Sequence, residues 1–244
     1  MGLPLHPAEE VSDGPAGTHL VFTQAEPLQA VMGAAARQKG GETVSGDAGG
    51  LLRTTDGLLY VMLCDGMGSG PAASRESKLA VRLLEQFLRA GVQADTALKT
   101  LNAALALRSE EEGGFTTVDL LELDLFTGAA VLYKFGAAPT YLRRGTSVSR
   151  ITGGALPAGL TDGERTAPDV TRLQLERGDL VVLVSDGVAD ARDDQWLRDA
   201  LSAFDGTSPK DLALTLVDGQ DGGTGPSDDR TALVLRLELR EEHP

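Results

Sequence analysis

Leu58-Leu59-Tyr60-Val61-Met62-Leu63-Cys64-Asp65-Gly66 is the stretch on which the fold turns. Seven apolar residues follow one another and stop at an Asp-Gly pair. A short unbroken apolar run bounded by turn residues describes a strand buried on both faces. The chain repeats the pattern at Leu180-Val181-Val182-Leu183-Val184-Ser185-Asp186-Gly187. Two such strands need cover above and below, so the fold must be layered.

Working outward, further strands are expected over residues 116–124, 129–135, 140–143, 147–151 and 231–239. Phe126-Thr127-Gly128 and Arg144-Gly145-Thr146 form hairpin turns between neighbours. Over residues 76–90, Leu79, Ala80, Leu83, Leu84, Phe87 and Leu88 form one helical stripe, ended by Gly91. Asp95 caps a second helix that carries Leu98, Leu101 and Leu105 to about residue 108. Residues 193–204 and 209–217 make another adjacent pair. Strands in hairpin order with helices inserted in pairs argue for an α+β fold: two mainly antiparallel sheets flanked by helices, not βαβ units. Residues 1–20 lack periodicity and read as a loose lead-in; 21–244 read as one domain.

Composition narrows the function. The net charge is −14, with one cysteine and three histidines among 244 residues. A disulfide framework and the usual Cys/His zinc site are excluded, and a nucleic-acid partner would want a basic footprint. The longest apolar run falls far short of the roughly 20 residues that span a bilayer. Residues 1–6 show no signal-peptide pattern, and the lone Cys64 sits in an apolar segment. The chain is therefore expected in the cytoplasm, either free or as the soluble domain of a longer membrane-anchored protein, with a homodimer left open.

Most of the 36 acids are ordinary solvated surface. Asp-Gly is a common turn, and Asp56-Gly57, Asp162-Gly163, Asp205-Gly206, Asp218-Gly219 and Asp221-Gly222 are read as nothing more. Four acids stand apart by position. Asp65 and Asp186 end the two buried strands. Asp47 lies in Ser45-Gly46-Asp47, and Asp228 opens Asp228-Asp229-Arg230 ahead of the last strand. If these meet at one rim, their charges require cations. An all-oxygen donor set suits Mg²⁺, Mn²⁺ or Ca²⁺. A pair of such ions suits phosphate-ester hydrolysis by an activated water, with no protein nucleophile. The histidine inventory agrees, since none lies between His19 and His243.

These residues belong to an ordered series. Cys64-Asp65-Gly66-Met67-Gly68-Ser69-Gly70-Pro71, Phe115-Thr116-Thr117-Val118-Asp119-Leu120, Gly136-Ala137-Ala138-Pro139, Leu156-Pro157-Ala158-Gly159, Arg177-Gly178-Asp179-Leu180, Val184-Ser185-Asp186-Gly187 and Asp228-Asp229-Arg230-Thr231 follow one another. The series resembles the type 2C (PPM) metal-dependent serine/threonine phosphatases of bacteria, most closely the phosphatase domain of stage II sporulation protein E. It runs from about residue 30 to the C-terminus.

The resemblance implies a four-layer αββα sandwich and two divalent cations, Mn²⁺ or Mg²⁺. Asp65 would bridge both, Gly66 would lend its carbonyl, Asp186 and Asp228 would complete one site, and Asp47 the other. Asp47 and Asp65 would thus be the catalytic acids, with Asp229 ranked below Asp228. The substrate implied is a phosphoserine or phosphothreonine on a regulatory protein, an anti-sigma-factor antagonist in the closer subgroup. A shift of the helical pair after Asp65-Gly66 would regulate the site.

Met67 stands where many relatives hold a His that protonates the leaving group, which removes a general acid worth about 10²–10⁴-fold. Arg37 and Lys39 are the candidate phosphate-binding cations. Two other readings remain: a degenerate, non-catalytic interaction domain, and an aspartyl-nucleophile phosphatase built on Asp186, Asp190 and Lys210.

Overall fold

A strand that is apolar on both faces folds only where a layer covers each side, and the computed structural model supplies those layers. It describes residues 5–14, 17–112, 114–160, 167–189, 194–205, 208–219 and 227–240. The first large sheet contains β4 (Asp47–Arg53), β5 (Leu58–Gly66), β6 (Thr116–Asp124), β7 (Ala129–Phe135) and β10 (Asp169–Gln174), in the order β10-β7-β6-β5-β4. The second contains β3 (Leu28–Arg37), β8 (Thr140–Arg144), β9 (Ser147–Ile151), β11 (Leu180–Val184) and β12 (Arg230–Leu239), in the order β3-β12-β11-β8-β9. Every pairing in both sheets is antiparallel.

Helices α1 (Gly70–Arg89) and α2 (Ala94–Glu112) cover the first sheet, and α3 (Gln195–Ala203) and α4 (Pro209–Asp218) cover the second. The αββα sandwich expected from the sequence is the observed one.

The two apolar strands show why their runs are unbroken. Tyr60, Met62 and Cys64 of β5 enter the layer beneath α1 and α2, while Leu59, Val61 and Leu63 enter the layer between the sheets. On β11, Val181 and Leu183 face that same middle layer, and Leu180, Val182 and Val184 face α3 and α4. Alternate residues serve two separate cores, so no polar position is left.

The sequence reading misses three strands of the large sheets, each for a physical reason. β3 carries a mid-strand glycine because α4 lies directly on it: a Cβ on Gly33 would come within 2.2 Å of the Pro209–Lys210 backbone. In β4, Gly49-Gly50 lowers strand propensity, yet a Cβ on Gly50 would stand 2.7 Å from the Val81 side chain of α1. β10 is an edge strand with alternating exposure and mostly polar residues.

Helix α1 begins at Gly70, six residues before its expected start, with Ser69 as N-cap and Pro71 in the first turn. Its six added residues carry the small buried Gly70, Ala73 and Ser74 rather than a large apolar stripe. The lead-in is corrected too. Residues 1–20 hold β1 (Leu5–Gly14) and the start of β2 (Gly17–Gln24), an antiparallel hairpin of its own. Pro7, Glu9 and Glu10 hide it from a periodicity reading, and a register shift lies between Pro7 and Val11.

Candidate active site

The carboxylates meet because antiparallel register puts them at one end of both sheets. Asp47 of β4 lies directly opposite Asp65 of β5, and Thr117 of β6 lies on the other side of Asp65. The Asp65 N–H donates to Thr117 Oγ1 at 3.2 Å, and the Thr116 hydroxyl donates to the Asp65 carbonyl at 2.7 Å.

In the second sheet the end of β11 is tied to the start of β12. The Ser185 N–H donates to the Thr231 carbonyl at 3.0 Å, and the Thr231 N–H donates to Ser185 Oγ at 2.8 Å. Asp186 and Asp228 therefore emerge side by side. Asp65, Gly66, Met67, Lys39, Asp186 and Asp228 line one cavity of about 290 Å³. Asp47 is buried below it, 8% exposed.

Both Asp-Gly endings need glycine for packing, not for a positive φ. A Cβ on Gly66 would lie 2.1 Å from the Ala73 carbonyl of α1, and one on Gly187 would lie 2.1 Å from the Asp229 carbonyl. Each glycine lets a neighbouring stretch of backbone close onto the turn that carries an aspartate.

Electrostatics mark the rim as unbalanced. Burial, then the Asp47, Asp186 and Asp228 charges, push the Asp65 carboxyl up to about 8. Burial raises Asp47 to about 6; the Thr231 and Ser185 hydroxyls pull it back, and the Asp229 and Asp186 charges push it further. Asp186 is raised by burial and by Asp228. Neither Asp47 oxygen has a hydrogen-bond partner of normal geometry.

A divalent cation is the group this set fits. The donors are carboxylate oxygens, their charges oppose one another, and two buried oxygens are orphaned. Asp65, Asp186 and Asp228 line a shared cavity, with Asp47 buried outside its lining, rather than converge on a point: among the described residues no three His, Cys, Asp or Glu side chains form a ready ligand cluster.

The remaining candidates separate clearly. Asp229 is 4% exposed and both its oxygens are used, accepting from the Lys39 N–H at 2.8 Å and the Gly46 N–H at 2.7 Å. It clamps the loop that delivers Asp47, a role the tandem Asp228-Asp229 did not disclose. Lys39 lines the cavity, whereas Arg37 pairs with Asp218 of α4. Met67 is 59% exposed at the cavity. Cys64 is fully buried, and burial pushes its thiol up, which leaves it inert as a nucleophile. The antiparallel sheets lack the βαβ frame of the aspartyl-nucleophile alternative, whose Asp190 lies outside the described residues.

A family model described as stage II sporulation protein E (SpoIIE) matches residues 55–238. The chain belongs to the SpoIIE family. It is 30% identical over 239 residues to stage II sporulation protein E of Bacillus subtilis (strain 168), covering 95% of this chain and 28% of that protein. The chain thus spans less than a third of that relative.

The PP2C phosphatase domain of Bacillus subtilis SpoIIE, solved with a fragment of its regulatory domain, superposes with a TM-score of 0.83 at 26% identity. The match covers 99% of this chain and 72% of that one. RsbX in complex with magnesium shares the fold at 18% identity, with a TM-score of 0.68 over 88% of this chain and 98% of that one. This SpoIIE-family chain has the fold of a PP2C-type phosphatase domain, the family its ordered motifs resemble. Among the described residues no helix is long and apolar enough to cross a membrane.

Proposed function

We propose that this domain is a metal-dependent serine/threonine protein phosphatase that uses two divalent cations, Mn²⁺ or Mg²⁺. The observation that carries the reading is the rim itself. Asp47 faces Asp65 across a strand pair, Asp186 and Asp228 open into the same cavity, and the burial of these charges is uncompensated by any basic partner at Asp47. Asp47, Asp65, the Gly66 carbonyl, Asp186 and Asp228 would hold the cations. When bound, they supply an activated water and neutralise phosphoryl charge.

The chain's own groups do the rest. Asp65 and Asp47 fix the negative charge that selects cations. Lys39 stands at the cavity edge, where it can attract a phosphate. Met67 cannot donate a proton, so the departing serine or threonine oxygen takes its proton from solvent. The magnesium in RsbX supports the choice of cation class.

Within the reading drawn from the SpoIIE relatives, the substrate is a phosphoserine or phosphothreonine on an anti-sigma-factor antagonist. The contact of Gly66 with Ala73 gives α1 a direct hold on the Asp65 turn, which supports regulation through the α1–α2 pair. The test is hydrolysis of a phosphoserine peptide with and without Mn²⁺. Activity should require the cation, disappear in Asp65→Asn, and leave no trapped phosphoenzyme. Cation-independent hydrolysis, or a phosphoaspartate, would overturn the proposal; a folded protein that binds phosphopeptide without cleaving it would favour the non-catalytic alternative.

A further inference from the structure

One row below the rim, the middle layer stops being apolar. Asp119 of β6 pairs in register with Leu63 of β5 on one side and Lys134 of β7 on the other. Both charged side chains point between the sheets, since their strand neighbours Leu121 and Leu132 belong to the core there. Lys134 Nζ donates to Asp119 Oδ2 at 2.6 Å and to Thr140 Oγ1 at 2.8 Å, and the Thr140 hydroxyl donates to the same Asp119 oxygen.

Thr140 comes from β8, in the other sheet, opposite Leu183 of β11. The three side chains therefore join the sheet that carries Asp65 to the sheet that carries Asp186. Side-chain exposure is 2% for Lys134 and 1% for Asp119, and Lys134 is the one buried basic side chain among the described residues. A chamber of about 30 Å³ lies next to the cluster, lined by Asp119 together with Asp65, Ser185 and Asp186. Asp119 Oδ1 is buried without a hydrogen-bond partner.

A buried ion pair is a poor source of stability, because well-packed apolar residues of similar volume serve as well or better. What it adds is a fixed geometry. We propose that Asp119, Lys134 and Thr140 are positioning residues, a polar strut between the sheets that sets the spacing of Asp65 and Asp186 and so the affinity of the rim for divalent cations. The proposal rests on the reading of that rim as a metal site.

The experiment compares wild type with the triple variant Asp119→Leu/Lys134→Met/Thr140→Val. It reads Mn²⁺ affinity by calorimetry and thermal midpoint in a chelator. The triple variant should melt at or above wild type and bind Mn²⁺ roughly 10–100-fold more weakly, the loss typical when a ligand's supporting partner is removed. Thr140→Val alone should weaken binding while Thr140→Ser retains it, a comparison that stands even if the triple variant does not fold. Wild-type Mn²⁺ affinity in the folded triple variant, or in Thr140→Val with a lowered midpoint, would overturn the strut. Failure of wild type to bind Mn²⁺ is a distinct result and would overturn the metal-site reading together with the strut.

Discussion

Replacing Asp47 by Asn should stabilise the protein in a chelator at neutral pH and abolish its activity. Asp47 is 8% exposed, faces Asp65 across the β4–β5 pair, and neither of its oxygens has a hydrogen-bond partner of normal geometry among the described residues. Its carboxyl is pushed up to about 6, chiefly by burial. An ordinary aspartate titrates near 3.9, so ionising Asp47 in the fold opposes folding by about 3 kcal/mol once the pH exceeds 6.

The sign follows from the raised value. Below about pH 4 the group is protonated in folded and unfolded chains alike, and no penalty exists. The penalty grows as pH rises and is complete above the folded value. Asn removes the charge and also relieves Asp65, but it leaves a buried amide whose desolvation takes back about 1 kcal/mol or more. The net gain should be about 1–2 kcal/mol at pH 7.5, or roughly 2–8 °C in melting temperature for a chain of this size.

Thermal unfolding in EDTA at pH 7.5 and pH 4.5 checks this. The difference between the two pH values isolates charge from packing, because packing is the same in both. A melting temperature that falls equally at both pH values would show that Asp47 is not an uncompensated charge, and the electrostatic account of the rim would fail. Mn²⁺ should raise the wild-type midpoint and leave that of Asp47→Asn nearly unmoved.

Gly66→Ala should cost about 1–3 kcal/mol and at least tenfold in activity, because its Cβ would meet the Ala73 carbonyl at 2.1 Å; Gly145→Ala, with open space but φ +60°, should cost about 1–2 kcal/mol and leave activity alone. Steady-state kinetics and urea titrations separate the two. Apparent Mn²⁺ affinity should climb between pH 6 and 8 as Asp47 and Asp65 lose protons, with proton release visible as a buffer-dependent heat of binding. Asp229→Ala should cost about 3 kcal/mol and most activity through the freed Lys39 and Gly46 amides, whereas Arg37→Ala should change stability by less than about 1 kcal/mol, since its pair with Asp218 is exposed. Chemical denaturation of both variants beside wild type measures the contrast.

The strands of highest apolar content are legible in the residue order. Leu58–Gly66 and Leu180–Val184 are surrounded on both faces, and their composition records it. β3 and β4 are illegible for the opposite reason. Gly33 and Gly50 answer to α4 and α1, and nothing in a linear window says that a helix will press there. Hairpin β1–β2 carries proline and acid where a strand would show apolar alternation. At the site, Asp47, Asp65, Asp186 and Asp228 stand out by their place at strand ends, and the fold brings all four to one rim.

Asp229 and the Asp119–Lys134–Thr140 cluster do not stand out that way. Asp229 is recognised by the two amides it holds, and the cluster by a register that sets β6 beside β7 and across from β8. By itself the sequence determined the layered class, the buried strands and the acids at their ends, because burial on two faces and a turn after a strand are local properties written in consecutive residues. Tertiary structure alone decided which acid faces which, which glycine yields to a helix, and where a lysine is buried beneath the rim. Those depend on distances between segments far apart in the chain, and residue order does not encode such distances locally.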